Sequence, residues 1–110
     1  MKNRHEMIDQ RSLAFGRVIA AKLCENPGLI SLAMNNIARW QSTASPGVVA
    51  TLEEWREILR GPQDCVIEVL TRGDERAVRL RQSNPFAGAL TNQERNDILR
   101  AFESDDSSAT

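Results

Sequence analysis

The sequence predicts an all-α fold, a single compact bundle of five or six short helices. Apolar residues recur at helical spacing along most of the chain, and Pro- and Gly-containing turns separate the apolar stretches. Two Thr-x-x-Glu capping boxes mark helix starts. The predicted helices run approximately over Ile8–Leu23, Leu29–Gln41, Thr51–Arg60, Gln63–Thr71, Glu75–Gln82 and Thr91–Phe102.

A length of 110 residues fits one domain. We expect this domain to span residues 1–102, with residues 1–7 as a loose lead-in. Residues 103–110 are acidic and Ser-rich without an apolar anchor, so they are predicted to be a disordered tail.

The first two helices are predicted from apolar stripes. Phe15, Ile19 and Leu23 repeat every four residues in the first helix. Asn26-Pro27-Gly28 ends that helix, because the residue before Pro disfavours helical backbone and Gly permits a left-handed turn. The second helix carries an apolar face that ends at Trp40, and its short connection to the first favours antiparallel packing.

The third helix is predicted to follow a loop over residues 42–47. Thr51 is the expected N-cap, and Glu54 is expected to reach back to its backbone N–H. Gly61-Pro62 then ends the helix. The side chains expected to point inward are Leu52, Trp55 and Leu59.

The fourth and fifth helices follow closely. The β-branched run Cys65–Val69 would also suit a strand, but all its neighbours are helical and a single strand has no mate, so a helix is preferred. Asp74 is the expected N-cap of the fifth helix. A turn over Ser83–Gly88 leads to the second capping box, Thr91 with Glu94, which opens the last helix.

Composition excludes several classes of function. A formal net charge of −1 argues against a strong sequence-independent grip on nucleic acid or anionic membrane. No apolar run approaches the roughly 18 residues of a membrane span, and the charged N-terminus does not resemble a signal peptide. We therefore expect a cytoplasmic protein. Cys24 and Cys65 belong to no motif and are expected to be free, buried thiols, although counting alone leaves one disulfide open.

The residues give little support for an enzyme. The single histidine, His5, stands near the N-terminus, and two distant cysteines do not form a zinc site, so no metal or cofactor is expected. Glu53, Glu54 and Glu57 could act as a carboxylate cluster, but a solvated face is the simpler interpretation. In that interpretation they serve as a helix cap and as partners of Arg56 and Arg60.

Nucleic-acid binding is a more serious alternative. A helix-turn-helix can be drawn through Glu75–Phe102, with a basic strip before the turn. However, the turn contains Pro and is long for that motif, and Glu94 and Asp97 would repel phosphate. If the protein does not bind nucleic acid, the arginines of this strip are expected to pair with nearby carboxylates of the same chain. The strip comprises Arg72, Arg76, Arg79 and Arg81.

Binding to another protein remains. Arginine is favoured in interfaces because its planar guanidinium grips carboxylates while its stem covers apolar surface. Phe86 follows Pro85 on the turn, where it either fills the core between the last two helices or is exposed to a partner. Trp40 and Trp55 lie on apolar faces and are expected in the core.

The segment Leu-Arg-Gln-Ser-Asn-Pro-Phe-Ala-Gly-Ala-Leu-Thr-Asn-Gln-Glu-Arg at 80–95 resembles a group of small bacterial helical proteins that look like antitoxin partners in toxin–antitoxin loci. Weaker support comes from Ala-Arg-Trp at 38–40 and Leu-Glu-Glu-Trp at 52–55. The resemblance implies a helical, non-enzymatic module that occludes the active site of a cognate toxin, with nucleic-acid-modifying enzymes among the candidate toxins. A small DNA-binding regulator is the alternative, and a homodimer is left open. The predicted partner-binding residues are Arg76, Arg79, Arg81, Gln82, Ser83, Pro85 and Phe86.

Overall fold

A computed structural model describes the backbone of residues 4–108 and the side chains of residues 10–101. Within that part of the chain all regular structure is helical, which confirms the predicted all-α bundle. The helices are α1 (Arg4–Glu25), α2 (Leu29–Gln41), α3 (Pro46–Arg60), α4 (Gln63–Thr71), α5 (Glu75–Arg81) and α6 (Asn92–Ser108).

Three helices differ in extent from the sequence prediction. The backbone of α1 is already helical at Arg4, so the expected loose lead-in is wrong from that residue onward. The last helix continues to Ser108, past its predicted end near Phe102. The third helix begins at Pro46, so the predicted loop over 42–47 is too long. Residues 1–3 and 109–110 lie outside the described residues.

The start of α3 depends on Pro46 and not on the predicted capping box. Ser45 has extended backbone at the N-cap position and Pro46 follows it, where the fixed φ of proline suits the first helical residue. Thr51 therefore lies inside the helix, and its hydroxyl donates to the carbonyl of Gly47 at 3.2 Å. The predicted box of Thr51 with Glu54 is wrong.

Of the two capping interactions predicted later in the chain, one is not formed and one is. Asp74 occupies the N-cap position of α5, but its carboxylate makes no capping hydrogen bond and instead pairs with Arg72 at 3.3 Å. The capping box before α6 is confirmed. The N–H of Glu94 donates to the hydroxyl of Thr91 at 3.1 Å, and the N–H of Thr91 donates to the carboxylate of Glu94 at 2.8 Å.

The helices pack in two connected groups. α1 packs against α4, α5 and α6, and not mainly against α2 as their short connection predicted, while α2 and α3 form a pair that meets α4 through α3. Trp55 is fully buried where the groups meet. Its indole N–H donates to the carbonyl of Leu80 at 2.7 Å, and its ring meets that of Phe86 edge-on with centroids 6.2 Å apart. The largest fully buried side chains are Trp55, Phe86, Leu23, Ile37, Leu52, Leu70, Leu80, Val66 and Pro85.

A glycine sets the distance between α1 and α4. Gly16 is buried, and a Cβ atom built on it would lie 2.0 Å from the carbonyl oxygen of Leu70. No side chain fits there without moving one helix away from the other. This close approach brings the 12–19 stretch of α1 alongside the end of α5 and the segment that follows it.

Candidate functional site

The segment that carries the resemblance turns into the core after α5. Pro85 and Phe86 are buried, with Phe86 only 2% exposed. The side-chain oxygen of Asn84 accepts the N–H of Phe86 at 2.9 Å, and the N–H of Ala89 donates to the carbonyl of Phe86 at 3.0 Å. Gly88 has φ of +89°, a conformation that residues with a Cβ rarely adopt. Of the two roles foreseen for Phe86, the structure shows the core role.

A buried asparagine on α2 holds this turn in place. The side-chain amide of Asn36 donates to the carbonyl of Pro85 at 2.8 Å and to the carbonyl of Ala87 at 3.0 Å. Its carbonyl oxygen in turn accepts from Arg39. Asn36 is 3% exposed, so both of its donors serve the protein and not solvent. The 80–90 segment is therefore tied to α2 across the bundle.

Arg81 is buried and cannot act as the surface contact that the sequence predicted. Only 4% of the residue is exposed. Its guanidinium donates to the carbonyls of Val69 at 2.8 Å and Arg72 at 2.6 Å, and to the hydroxyl of Ser12 at 3.3 Å. The predicted site therefore divides. Arg81, Pro85 and Phe86 belong to the interior, while Arg76, Arg79 and Gln82 are exposed and Ser83 is half-buried.

The two exposed arginines of α5 share one carboxylate on α3. Arg76 donates to Glu54 at 2.9 Å and Arg79 donates to it at 3.0 Å. Partial burial opposes ionisation of Glu54, but the hydrogen bonds from Arg79 and Arg76 outweigh it and lower the pKa of this carboxyl from the ordinary value. The cluster thus joins α3 to α5, and much of the positive charge of the predicted strip is offset.

The other carboxylates behave largely as the solvated-face interpretation predicts. Glu53 pairs with Arg56 at 3.2 Å and Glu57 pairs with Arg60 at 3.1 Å, each within α3. The described residues contain no group of three or more His, Cys, Asp or Glu side chains arranged as a metal site. The side chain of His5 lies outside the described residues.

The cysteines are free, as expected, but the expectation that they are buried is wrong. Cys24 and Cys65 are both exposed, because each faces away from the apolar stripe of its helix. None of the helices in the described part of the chain combines the length and the apolar content that a membrane crossing requires.

An open cavity lies between α1, the 82–91 segment and the start of α6. Its volume is about 230 Å³. Phe15, Ile19, Phe86 and Leu90 give it an apolar floor, and Arg81 contributes a buried guanidinium. The remaining lining residues are Ser12, Asn84, Ala87, Gly88 and Arg95.

Arg95 is the exposed cation among the lining residues of this cavity. Among the residues that the structure describes, it makes no side-chain hydrogen bond or ion pair. Its neighbour Glu94 is engaged elsewhere, with Lys22 of α1 at 2.7 Å and with the cap of α6. The hydrogen bond from Lys22, together with that from the backbone of Thr91, lowers the pKa of the Glu94 carboxyl. Arg95 thus lines the cavity as an exposed cation that no described carboxylate holds.

Sequence reasoning missed the two residues that matter most here. Asn36 stands between Ala33 and Ile37 on the apolar face of α2, and that position is the signal of a buried polar anchor. Arg95 is not among the predicted partner-binding residues. Its lack of an acidic residue three or four positions along α6 is the signal that could have singled it out.

Comparisons of this chain with protein-family models, with curated proteins and with solved structures find no match.

Proposed function

We propose that the protein acts by binding another protein, as an antitoxin-like module that covers the active site of a cognate toxin. The observation that carries this proposal is the open cavity beside the 82–91 segment, which combines an apolar floor with the exposed guanidinium of Arg95. Such a mixture suits an anchoring side chain from a partner, because anchors fill apolar pockets while arginine binds carboxylates. The resemblance of the 80–95 segment to antitoxin-like proteins supports the same class of function.

The proposed mechanism differs from a simple insertion of this protein's side chains into the toxin. Phe86 and Arg81 are held in the interior, so they shape the floor of the cavity and do not reach outward. A loop or side chain of the toxin enters the cavity instead. The surrounding surface of this protein then covers the toxin's catalytic groups. No chemistry by this chain is required.

The test is co-expression with the product of the neighbouring gene, followed by co-purification through a tag on the toxin. Ala87→Arg places a long side chain at an exposed lining position of the cavity and should reduce co-purification at least tenfold. Ala50→Arg is the matched control on the exposed face of α3. Equal co-purification of both variants, with unchanged helicity by circular dichroism, would refute the proposed binding surface.

The exposed members of the predicted site need a variant of their own. Arg76 and Arg79 remain proposed contacts at the edge of the interface, since both guanidinium groups face solvent as well as Glu54. Arg76→Gln with Arg79→Gln removes both cations without touching the interior. Reversal of Arg81 would report on folding, because that side chain is buried. We expect the double variant to slow association more than it weakens the final complex, as edge charges usually do.

A DNA-binding regulator has less support from the geometry. The two exposed arginines of α5 are paired with Glu54, and α6 packs mainly on α1 and not as the second helix of a helix-turn-helix with α5. A gel-shift on the promoter of the same locus, repeated over a salt series, separates the two functions. Specific retardation by the isolated protein that weakens steeply with salt would favour the regulator.

A further inference from the structure

We infer that the cavity between α1, the 82–91 segment and α6 binds a carboxylate carried next to an apolar group, such as an acidic residue beside an aromatic or aliphatic side chain of the partner. This inference rests on the proposed function and deepens it, because it names the chemistry of the segment that enters the cavity. Four features of the lining support it: its apolar floor, the charge of Arg95, the place of Arg95 on α6 and the backbone N–H donors of Ala87 and Gly88.

The apolar floor indicates that the ligand carries an apolar group. Phe15, Phe86, Ile19 and Leu90 come from two separate parts of the chain and meet at the base of the cavity. A volume of about 230 Å³ exceeds that of an aromatic ring and leaves space for a polar group beside it. Water in contact with such a floor is released when an apolar group replaces it, which favours binding.

The residues at the mouth of the cavity indicate that the ligand also carries a negative charge. Arg95 is exposed and has no ion pair among the described residues, so no ion pair within that part of the chain has to break before it binds an incoming anion. It also lies near the N-terminal end of α6, where the helix dipole favours an anion and disfavours a cation. A carboxylate bound to Arg95 therefore relieves an unfavourable placement as well as forming a charge-assisted hydrogen bond.

Backbone N–H groups at the mouth of the cavity are further hydrogen-bond donors that favour an anionic group. Within the described part of the chain, the N–H groups of Ala87 and Gly88 donate to no protein acceptor, and both residues are exposed lining residues. Gly88 with its positive φ bends the backbone at this point. Ser12 supplies a hydroxyl from the α1 side. The lining thus offers several hydrogen-bond donors, as a site for a negatively charged group requires.

The probe for this inference is 3-phenylpropionate, which joins an aromatic ring to a carboxylate at a short distance. Its uncharged counterpart, 3-phenylpropionamide, keeps the ring and the length. Each compound is titrated into the isolated, isotope-labelled chain and followed by amide chemical shifts. We expect shifts concentrated at residues 12–19 and 84–95, and an affinity for the acid about tenfold greater than for the amide, as one charge-assisted hydrogen bond provides.

Matched variants test whether Arg95 is the residue that binds the carboxylate. Arg95→Gln should lower the affinity for the acid to that for the amide. Arg100→Gln, which removes an exposed cation of the same helix that does not line the cavity, should leave the affinity for the acid unchanged. Equal binding of acid and amide, an unchanged affinity in Arg95→Gln, shifts confined to other surfaces, or no binding by either compound would each overturn the inference.

The same experiment separates this inference from the proposed function. Binding of the acid as expected, together with a failure of any toxin to co-purify, would leave the chemistry of the cavity intact and remove the protein partner. Co-purification of a toxin that Ala87→Arg abolishes, without discrimination between acid and amide, would retain the binding surface and remove the carboxylate.

Discussion

Replacement of Asn36 by alanine should destabilise the protein strongly, because this side chain ties the 80–90 segment to α2. The substitution removes two hydrogen bonds, to the carbonyls of Pro85 and Ala87, each with a net contribution of about 1 kcal/mol. The carbonyl of Pro85 also stays buried without this donor, at a cost of about 1–3 kcal/mol. Alanine regains about 0.5 kcal/mol through its higher helix propensity.

The sum is a loss of about 2.5–4.5 kcal/mol from the free energy of unfolding. Total stabilities of domains of this size are about 5–15 kcal/mol, so the change should be easy to measure. Urea unfolding followed in parallel by far-ultraviolet circular dichroism and by tryptophan fluorescence gives the free energy directly. Fluorescence is informative because the buried ring of Trp55 contacts Phe86 within the segment that Asn36 holds.

The adjacent Asn35 provides the control. It is exposed on the same helix, so Asn35→Ala should change stability by no more than about 0.5 kcal/mol. Asn36→Asp keeps the shape but places an oxygen opposite two carbonyl oxygens, and should destabilise the protein more at pH 7 than at pH 4. A cost below about 1 kcal/mol for Asn36→Ala, or equal effects of Asn35→Ala and Asn36→Ala, would show that the clamp contributes little.

Two further predictions concern helix contacts. Gly16→Ala should lower the free energy of unfolding in urea by more than about 3 kcal/mol, because its Cβ would lie 2.0 Å from the carbonyl oxygen of Leu70. Gly47→Ala is the control and should be neutral or stabilising, since nothing lies near that position. Equal effects of the two substitutions would contradict the close approach of α1 and α4. Glu54→Gln should remove about 0.5–1 kcal/mol at pH 7. Because the folded-state pKa of Glu54 is lowered, its contribution is present above the ordinary glutamate pKa and is lost as pH falls through the lowered value, so wild type and Glu54→Gln should converge in acid. Glu57→Gln, on the exposed face of α3, is the control, and a gap that persists in acid would contradict the assignment.

Helices were predictable where the deciding interactions are local. α2 and α4 have the predicted bounds because their apolar periodicity and the Pro and Gly residues that flank them are local signals. The Thr91 box formed as predicted because both of its partners stand four residues apart or less. The inward face of α3, with Leu52, Trp55 and Leu59, follows from the same spacing.

The first Thr-x-x-Glu pattern did not form a capping box, because other interactions engage both of its residues. Thr51 and Glu54 have the same pattern as the second box, but Pro46 starts the helix earlier and leaves Thr51 in its interior. Glu54 then lies on the face of α3 toward α5, where Arg76 and Arg79 hold it. A capping box is thus conditional on where the helix begins.

The division of the 76–86 residues into surface and interior could not be inferred from the sequence. Arg79 and Arg81 look equivalent in the chain, yet one faces Glu54 in solvent and the other is enclosed by α1 and α4. Enclosure of Arg81 depends on the close approach at Gly16, since that contact brings Ser12 within reach of its guanidinium. Sequence patterns do not contain this distance.

By itself the sequence determined the fold class and the inward-facing side of most helices, because helical periodicity and capping act over three or four residues. Only the tertiary structure decided which polar residues became anchors, which became surface, and where an open cavity remained. The physical reason is that the burial and hydrogen bonding of Asn36 and Arg81, and the cavity that Arg95 lines, depend on partners from distant parts of the chain. Those partners become neighbours only when the helices pack.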